Sequence, residues 1–213
     1  LLDLVYGKDG ETPVEDGELT EHLDSQMYEL AYVNIPLYNT STFVFASDDQ
    51  KAEMLQLAQQ AATAANLMDY ENVEDQVSAL HAAAQSALPD IYAVLDATPS
   101  DDASSVQTEL LTESDLTSTF TQDGAADAVR GLVYGEAAAV QYNGYSVILM
   151  MRIDPLQVST LDALRSQILS DMKGEELDDA LAAYGAQMDN TLSSSAMGKL
   201  PAAKVVNDTS ANS

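Results

Sequence analysis

The sequence predicts an α+β protein with a small antiparallel sheet packed against helices. Two strand patterns meet at Asn143-Gly144, a dipeptide that favours tight hairpin turns, and β-branched or aliphatic residues stand on both sides of it. An alanine-rich stretch after Ser47 and an apolar stripe after Leu161 both repeat at helical spacing. The chain has 213 residues, of which 46% are hydrophobic, so it can bury a core of this kind.

Two short helices are predicted at the start of the chain. Apolar residues from Leu1 to Tyr6 stop at Gly7, which is a typical residue at the end of a helix. Acidic residues after Pro13 suit the positive end of a helix dipole, and we expect this second helix to reach about Tyr28. Both helices precede the first strand pattern.

The first strand is predicted at residues 29–37, where apolar and polar side chains alternate. Pro36 has no N–H group for the hydrogen-bond ladder. It therefore indicates either that this strand lies at the edge of the sheet or that the strand ends there. Residues 42–45, which contain two phenylalanines, are a candidate continuation of the strand.

The middle of the chain is predicted to be mainly helical. Ser47 is expected to cap a long helix through its hydroxyl group. A second helix is predicted over 73–87 and is expected to end before Pro89, because the residue before a proline disfavours helical backbone angles. The polar residues 98–105 predict a mobile loop, and a short helix is expected near 125–133.

The hairpin and a long helix form the predicted C-terminal part. Asn143-Gly144 is expected to form a type I′ turn, in which both residues have positive φ. Ser159 or Thr160 is expected to cap the last helix, and residues 193–213 lack periodicity, which predicts a flexible tail. Apolar residues mostly three or four apart give that helix one apolar face: Leu161, Leu164, Ile168, Leu169, Met172, Leu177, Leu181, Tyr184 and Met188.

Charge and composition exclude several classes of protein. Eight basic and thirty-five acidic residues give a formal net charge of -27, which would repel nucleic acid and anionic lipid headgroups. The chain has no cysteine, so disulfides, thiolate metal sites and cysteine nucleophiles are excluded. No apolar run is long enough to span a membrane.

Common catalytic and cofactor patterns are also missing. His22 and His81 have no zinc-binding spacing between them, and we interpret both as structural or surface residues. The paired aspartates lack the frame of a calcium-binding loop, and no glycine-rich phosphate loop occurs. The sequence therefore predicts neither a metal site nor a cofactor.

The hairpin nevertheless has a pattern typical of one family. Gly135-Glu136 precedes its first strand, Gly144-Tyr145 opens its second, and an amphipathic helix follows. These residues resemble the closing hairpin of parvulin-type peptidyl-prolyl isomerases. The order of strand, helices, short helix and hairpin also resembles that of parvulin domains. In extracytoplasmic foldases of this family, helices on both sides of the isomerase domain form a chaperone module.

The resemblance implies a parvulin-like domain flanked by helices of a partial chaperone module. Residues 1–28 would be the end of an N-terminal, chaperone-like module and its linker, and residues 29–154 would be the parvulin-like domain. Residues 155–192 would be a C-terminal amphipathic helix that packs on the N-terminal module, and 193–213 would be the flexible tail.

The resemblance also implies where a substrate would bind. The family's two histidines match Asn34 and Ser146, so no catalytic residue is assigned. Phe120, Ala125 and Arg130 stand near the positions that wall the family's proline pocket, but only the phenylalanine suits an apolar wall. The substrate-binding residues implied by the resemblance are Tyr32, Asn34, Phe120, Tyr145 and Ser146.

The leading prediction is an exported foldase or chaperone-like protein that binds unfolded or extended polypeptides and has weak or no isomerase activity. The resemblance implies an extracytoplasmic location, with membrane attachment only through a lipid anchor outside this chain. Nucleic acid is not an expected partner, because the net charge is strongly negative. The alternative is a non-catalytic, surface-displayed binding or structural protein on the same scaffold.

Overall fold

The structure, a computed structural model, describes residues 1–187, and within them it has a four-stranded antiparallel sheet and eight helices. The predicted α+β class is therefore confirmed. Met188 and the predicted tail at 193–213 lie outside the described residues. The strands are β1 (Met27–Pro36), β2 (Gln107–Thr112), β3 (Ala137–Gln141) and β4 (Ser146–Arg152). The helices are α1 (Leu2–Tyr6), α2 (Asp16–Gln26), α3 (Asp48–Ala65), α4 (Val73–Ala93), α5 (Glu113–Thr119), α6 (Ala125–Arg130), α7 (Pro155–Val158) and α8 (Leu161–Gln187).

The strands lie in the order β2-β1-β4-β3, so β1 and β4 are central. Pro36 is the last residue of β1 and stands opposite Ser146 of β4. It therefore marks the end of a strand and not an edge strand. The proposed continuation at 42–45 is not a strand, since only an isolated bridge joins Phe45 to Tyr38.

Helices cover both faces of the central strands. Odd-numbered residues of β1 and β4, such as Val33 and Leu149, pack against α3 and α4. Even-numbered residues, such as Leu30 and Met150, pack with α5 and α6 on the other face. Because both faces are covered, β4 has the continuous apolar sequence 147–151 and does not alternate.

Helix α4 does not end before Pro89 as predicted but continues to Ala93. Pro89 has no N–H group, so the carbonyl group of Gln85, four residues earlier, loses its hydrogen-bond partner in the helix. Both residues are exposed, so water can solvate that carbonyl group. Leu88, Ile91 and Tyr92 are buried in the core on the other side. Burial of each such side chain stabilises by about 1.5–3 kcal/mol, which together outweighs a proline penalty of about 3 kcal/mol.

Two further differences concern the sheet. Strand β2 was not expected, because its residues are mostly polar; as an edge strand it leaves one side exposed. The hairpin turn is not of type I′, since neither Asn143 nor Gly144 is among the described residues with positive φ. Instead, the Asn143 side-chain oxygen accepts a hydrogen bond from the Tyr145 N–H at 2.8 Å, which closes an Asx turn.

The N-terminal helix α2 and the first part of α8 are joined by charged side chains. Arg165 pairs with Asp16, and His22 Nε2 lies 2.6 Å from the Asp171 carboxylate. Thr160 caps α8 through a bond from the Ala163 N–H at 3.3 Å, as one of the two predicted caps. In this part of α8, two residues of the predicted apolar face are fully buried: Ile168 and Leu169.

The described residues 173–187 belong to a compact unit separate from residues 1–172. In that segment Lys173 Nζ lies 2.6 Å from the Glu176 carboxylate one helical turn later. Leu181 and Tyr184 of the predicted apolar face are exposed. Among the described residues of the predicted stripe, those that are fully buried therefore lie in the first part of the helix.

The cap of α3 offers a test of local stability. The Ser47 hydroxyl accepts a bond from the Gln50 N–H at 3.3 Å, and the Gln50 side chain accepts one from the Ser47 N–H at 2.9 Å. We expect Ser47→Ala to lower the free energy of unfolding by about 1 kcal/mol. Urea denaturation followed by circular dichroism measures it. Ser41→Ala is the control, since no hydrogen bond of the Ser41 hydroxyl occurs within residues 1–187; equal losses would contradict the capping role.

Candidate functional site

One face of the sheet brings together four of the five predicted substrate-binding residues. Tyr32 packs against the buried cluster on the α5 and α6 side, and Phe120 belongs to that cluster. Side chains of a strand alternate between faces, so Asn34 and Ser146 share this face with their neighbours two residues away. We call the set Tyr32, Asn34, Phe120, Tyr142 and Ser146 the tyrosine face.

Tyr142 is the residue of this face that the sequence analysis missed. Its ring centroid lies 5.6 Å from that of Phe120, with the planes tilted by 51°. Its hydroxyl group donates to Asn34 Oδ1 at 3.3 Å. Tyr142 thereby connects the aromatic wall from α5 to the exposed amide on β1. The Gly-Glu and Gly-Tyr pattern flanks Tyr142 without including it, so the motif alone could not identify it.

Tyr32 adds a second hydroxyl group beside a carboxylate. Its OH donates to Glu109 Oε2 on β2 at 3.3 Å. Burial raises the pKa of Tyr32 above its usual value, and the negative charge of Glu109 raises it further. The phenol therefore stays protonated at neutral pH and acts as a hydrogen-bond donor. It is not a base.

The other positions expected near a proline pocket do not form one. Ala125 is buried in the cluster, and Arg130 binds the carboxylate of Glu113 and also pairs with Asp127. The hydrogen bond from Arg130 holds the pKa of Glu113 below its usual value. Ser146 is buried, whereas Asn34 is exposed. Phe120 is buried as well, and Tyr32 and Tyr142 are half-buried, so the accessible part of the tyrosine face consists of the two tyrosines and Asn34.

Tyr145 lies apart from the tyrosine face. Its ring centroid is 5.8 Å from that of Phe45, which in turn is 5.5 Å from that of Tyr38. Phe43 stacks on Tyr38 at 6.4 Å with planes 15° apart. We call Tyr38, Phe43, Phe45 and Tyr145 the loop cluster. The sequence indicated the two phenylalanines only as a candidate continuation of the first strand, so it did not predict the cluster.

Both histidines have partners within the fold. His22 contacts Asp171, as described above, and His81 Nδ1 lies 2.8 Å from the Ser104 carbonyl oxygen. The second contact holds the loop after α4 against the helix. Neither imidazole lies on the tyrosine face, so no ring nitrogen is available there for proton transfer.

Larger cavities lie elsewhere in the described chain. An open groove of about 740 Å³ is lined by residues that include Val73, Thr108 and Gln157. Another, of about 660 Å³, runs along α2 beside Asp16 and Asp24. Neither groove is lined by residues of the tyrosine face.

Comparison with known proteins gave no family, since no protein-family profile, curated protein or solved structure matched the chain. Within residues 1–187, no three or more acidic, histidine or cysteine side chains are grouped so that they could hold a metal ion. In the same residues, no helix combines the length and apolar character needed to cross a membrane. Function must therefore be argued from the geometry of the surface.

Proposed function

We propose that this chain is a divergent parvulin-type foldase that binds extended polypeptides on the tyrosine face and has little or no isomerase activity. The observation that supports the proposal most is the position of Asn34 and Ser146. These two residues match the family's histidines by resemblance, and they lie on one face of two paired strands with Tyr32 and Phe120.

The order of elements supports the same family. A first strand is followed by two long helices, then short helices and a closing hairpin, as the resemblance requires. The sheet is small and antiparallel, with helices packed on both faces. Strand β2 is added to the order expected from the sequence.

The chemistry of the tyrosine face suits an extended peptide. The half-buried Tyr142 ring offers apolar area for a proline or aliphatic side chain at low cost in side-chain entropy, and it packs on the buried Phe120 ring. The Asn34 amide and the Tyr32 hydroxyl can exchange hydrogen bonds with a peptide backbone. Backbone bonding of this type does not depend on the client's sequence.

The same face is poorly suited to catalysis. Rotation about a peptide bond has a barrier of about 18–20 kcal/mol. It is accelerated only where the twisted amide is bound more tightly than the planar one. The face has a neutral amide at Asn34 and a buried neutral hydroxyl group at Ser146, and neither histidine of the chain lies on it. We therefore assign it binding without efficient turnover.

The net negative charge of the protein favours basic clients, and the proposed family implies where the protein acts. With eight basic and thirty-five acidic residues, the protein attracts positively charged segments and repels acidic ones. A foldase of this type would act outside the cytoplasm and would reach a membrane only through a lipid anchor outside this chain. Unfolded polypeptides are the partners we propose.

Client binding is tested with reduced, carboxamidomethylated lysozyme, which stays unfolded and basic. We expect the protein to bind it and to suppress its aggregation. Tyr142→Ala should weaken binding about tenfold, because it removes an accessible ring of the face and the hydroxyl group that positions the Asn34 amide. Tyr184→Ala is the control, since that exposed tyrosine is on α8. Fluorescence anisotropy of labelled client gives both affinities.

A protease-coupled assay on a proline peptide tests the second half of the proposal. We expect no turnover above the uncatalysed rate. Turnover comparable with that of active parvulins would overturn the assignment of a non-catalytic face. Tight binding of one folded partner, together with no binding of unfolded lysozyme, would instead favour the surface-displayed binding protein.

A further inference from the structure

The loop between β1 and α3 displays large apolar side chains to solvent. Phe43 is 73% exposed, Phe45 is 56% exposed and Tyr145 of the neighbouring hairpin turn is 62% exposed. Val44 is exposed between the two phenylalanines. Together with Tyr38 these rings form one continuous row of contacts. Contiguous exposed apolar groups of this kind typically mark an interaction site.

The loop is ordered by a network around Asn39. The Asn39 side-chain oxygen accepts bonds from the N–H groups of Ser41 and Thr42, each at 3.0 Å. Its side-chain nitrogen donates to the Leu95 carbonyl oxygen at 3.0 Å and so ties the loop to the end of α4. The main chain of Asn39 also bonds to Val44 and Phe43. The fold therefore presents the rings in a defined arrangement.

Phe43 has an unfavourable backbone conformation. Its φ is +57°, in the left-handed region that bulky side chains rarely adopt. A side chain that is both strained and exposed contributes little to folding, and such outliers are concentrated at functional positions. Phe43 is therefore a better candidate for an external contact than for the core.

Three acidic residues lie close to the loop cluster, two of them in sequence and one across a shared cavity. Asp48 and Asp49 begin α3 directly after the loop, and Asp96 lines a cavity of about 350 Å³ beside Val44 and Phe45. The nearby cation, Lys51, is already paired with Asp48 at 3.3 Å. A partner with apolar side chains next to lysine or arginine complements this surface in both shape and charge.

We propose that the loop cluster is a docking surface for extended polypeptide segments in which aromatic or aliphatic side chains alternate with basic ones. This inference rests on the proposed function and identifies the chemistry of the client. The Leu37 N–H donates to the Tyr145 carbonyl oxygen at 2.7 Å, and Ser146 of the tyrosine face comes next in the chain. Residues of both surfaces thus adjoin the turn of the hairpin. A second copy of the chain is disfavoured as the occupant, because each copy has a net charge of -27.

The test uses three short fluorescein-labelled peptides without proline. The first peptide contains phenylalanine, lysine and serine. The second has glutamate in place of each lysine, and the third has serine in place of each phenylalanine. We expect binding of the first, and about tenfold weaker binding of it by the double variant Phe43→Gly, Phe45→Ser. Glycine accepts positive φ without strain, so the double variant should fold. Leu67→Ser, at another exposed apolar residue, is the matched control and should bind like the natural chain.

Unchanged affinity in the double variant, or equal binding of the glutamate peptide, would overturn the inference. Sedimentation equilibrium and flotation with zwitterionic vesicles test the other occupants. If the natural chain forms a dimer or binds vesicles and the double variant does not, the inference would be overturned in favour of self-association or lipid binding. Failure of the proposed function is distinguishable, since it appears as unchanged lysozyme binding by Tyr142→Ala.

Discussion

Arg152→Ala is expected to lower the free energy of unfolding by about 3 kcal/mol. The Arg152 guanidinium lies 5.1 Å from the ring centroids of both Tyr28 and Tyr134. It also donates to the carbonyl oxygens of Leu132 and Asp24, at 2.9 Å each. A hydrogen bond to a charged group contributes about 1.5–3 kcal/mol and a cation–π contact about 0.5–1 kcal/mol, with incomplete additivity. Arg152 therefore braces β4 against α2 and the segment after α6.

Arg152→Lys separates charge from geometry. Lysine keeps the positive charge but not the planar fork, so about half of the loss should remain. Arg130→Ala is a surface control, because the Arg130 pairs are solvent-exposed and should contribute much less to stability than Arg152 does. The chain has no tryptophan, so urea unfolding is followed by far-ultraviolet circular dichroism. A loss below about 1 kcal/mol for Arg152→Ala would contradict the bracing role.

Glu29 should make stability depend on pH near neutrality. It lies on β1 opposite Leu110 and is only 6% exposed. Burial, and then the negative charge of Glu109, raise the pKa of Glu29 from its usual 4.5 to about 7. The folded state therefore retains a proton that the unfolded chain releases. As the pH rises from about 4.5 to about 8, this carboxyl should lower the free energy of unfolding by about 3 kcal/mol.

The sign follows from proton binding in the two states. At low pH Glu29 is protonated in both, so the buried group is neutral. Above its folded pKa of about 7, the folded state carries a buried carboxylate, and the stabilisation is lost. Glu29→Gln stays neutral, so its stability relative to the natural chain should increase by about 3 kcal/mol over this range.

Urea unfolding at several pH values measures that difference. The difference in the free energy of unfolding between Glu29→Gln and the natural chain cancels the pH dependence that comes from the other carboxylates. That dependence is large in a protein of this net charge. Glu53→Gln removes an exposed carboxylate on α3 and should show a difference of less than about 0.5 kcal/mol at each pH. Parallel curves for Glu29→Gln and the natural chain would show that Glu29 is not protonated in the fold.

Local signals in the sequence predicted most of the elements. Ser47 caps α3, Thr160 caps α8, and the residues around Asn143 form a hairpin. Each of these depends on contacts within a few residues. Strand β2 was missed because its pairing with β1 joins distant parts of the chain, as Glu29 with Leu110. The helix end at Pro89 was wrong because tertiary burial offset a local penalty.

The candidate site shows the same division. Alternation along each strand predicts that Tyr32 and Asn34 lie on one face of β1, and that Ser146 and Ile148 lie on one face of β4. It does not predict that the two pairs lie on the same face of the sheet. Their common face depends on the register of the two strands, in which Asn34 stands opposite Ile148. Tyr142 joins them from the hairpin turn, and only the register showed that.

The sequence by itself determined the α+β class, the principal helices and the hairpin, because capping, periodicity and turn chemistry act over short distances. It also determined the strong negative charge. Tertiary structure alone decided that Asn34, Phe120, Tyr142 and Ser146 share a face while Tyr145 joins Phe45 in another cluster. The physical reason is that strand register and helix packing bring distant residues together through long-range burial, which no local pattern in the chain encodes.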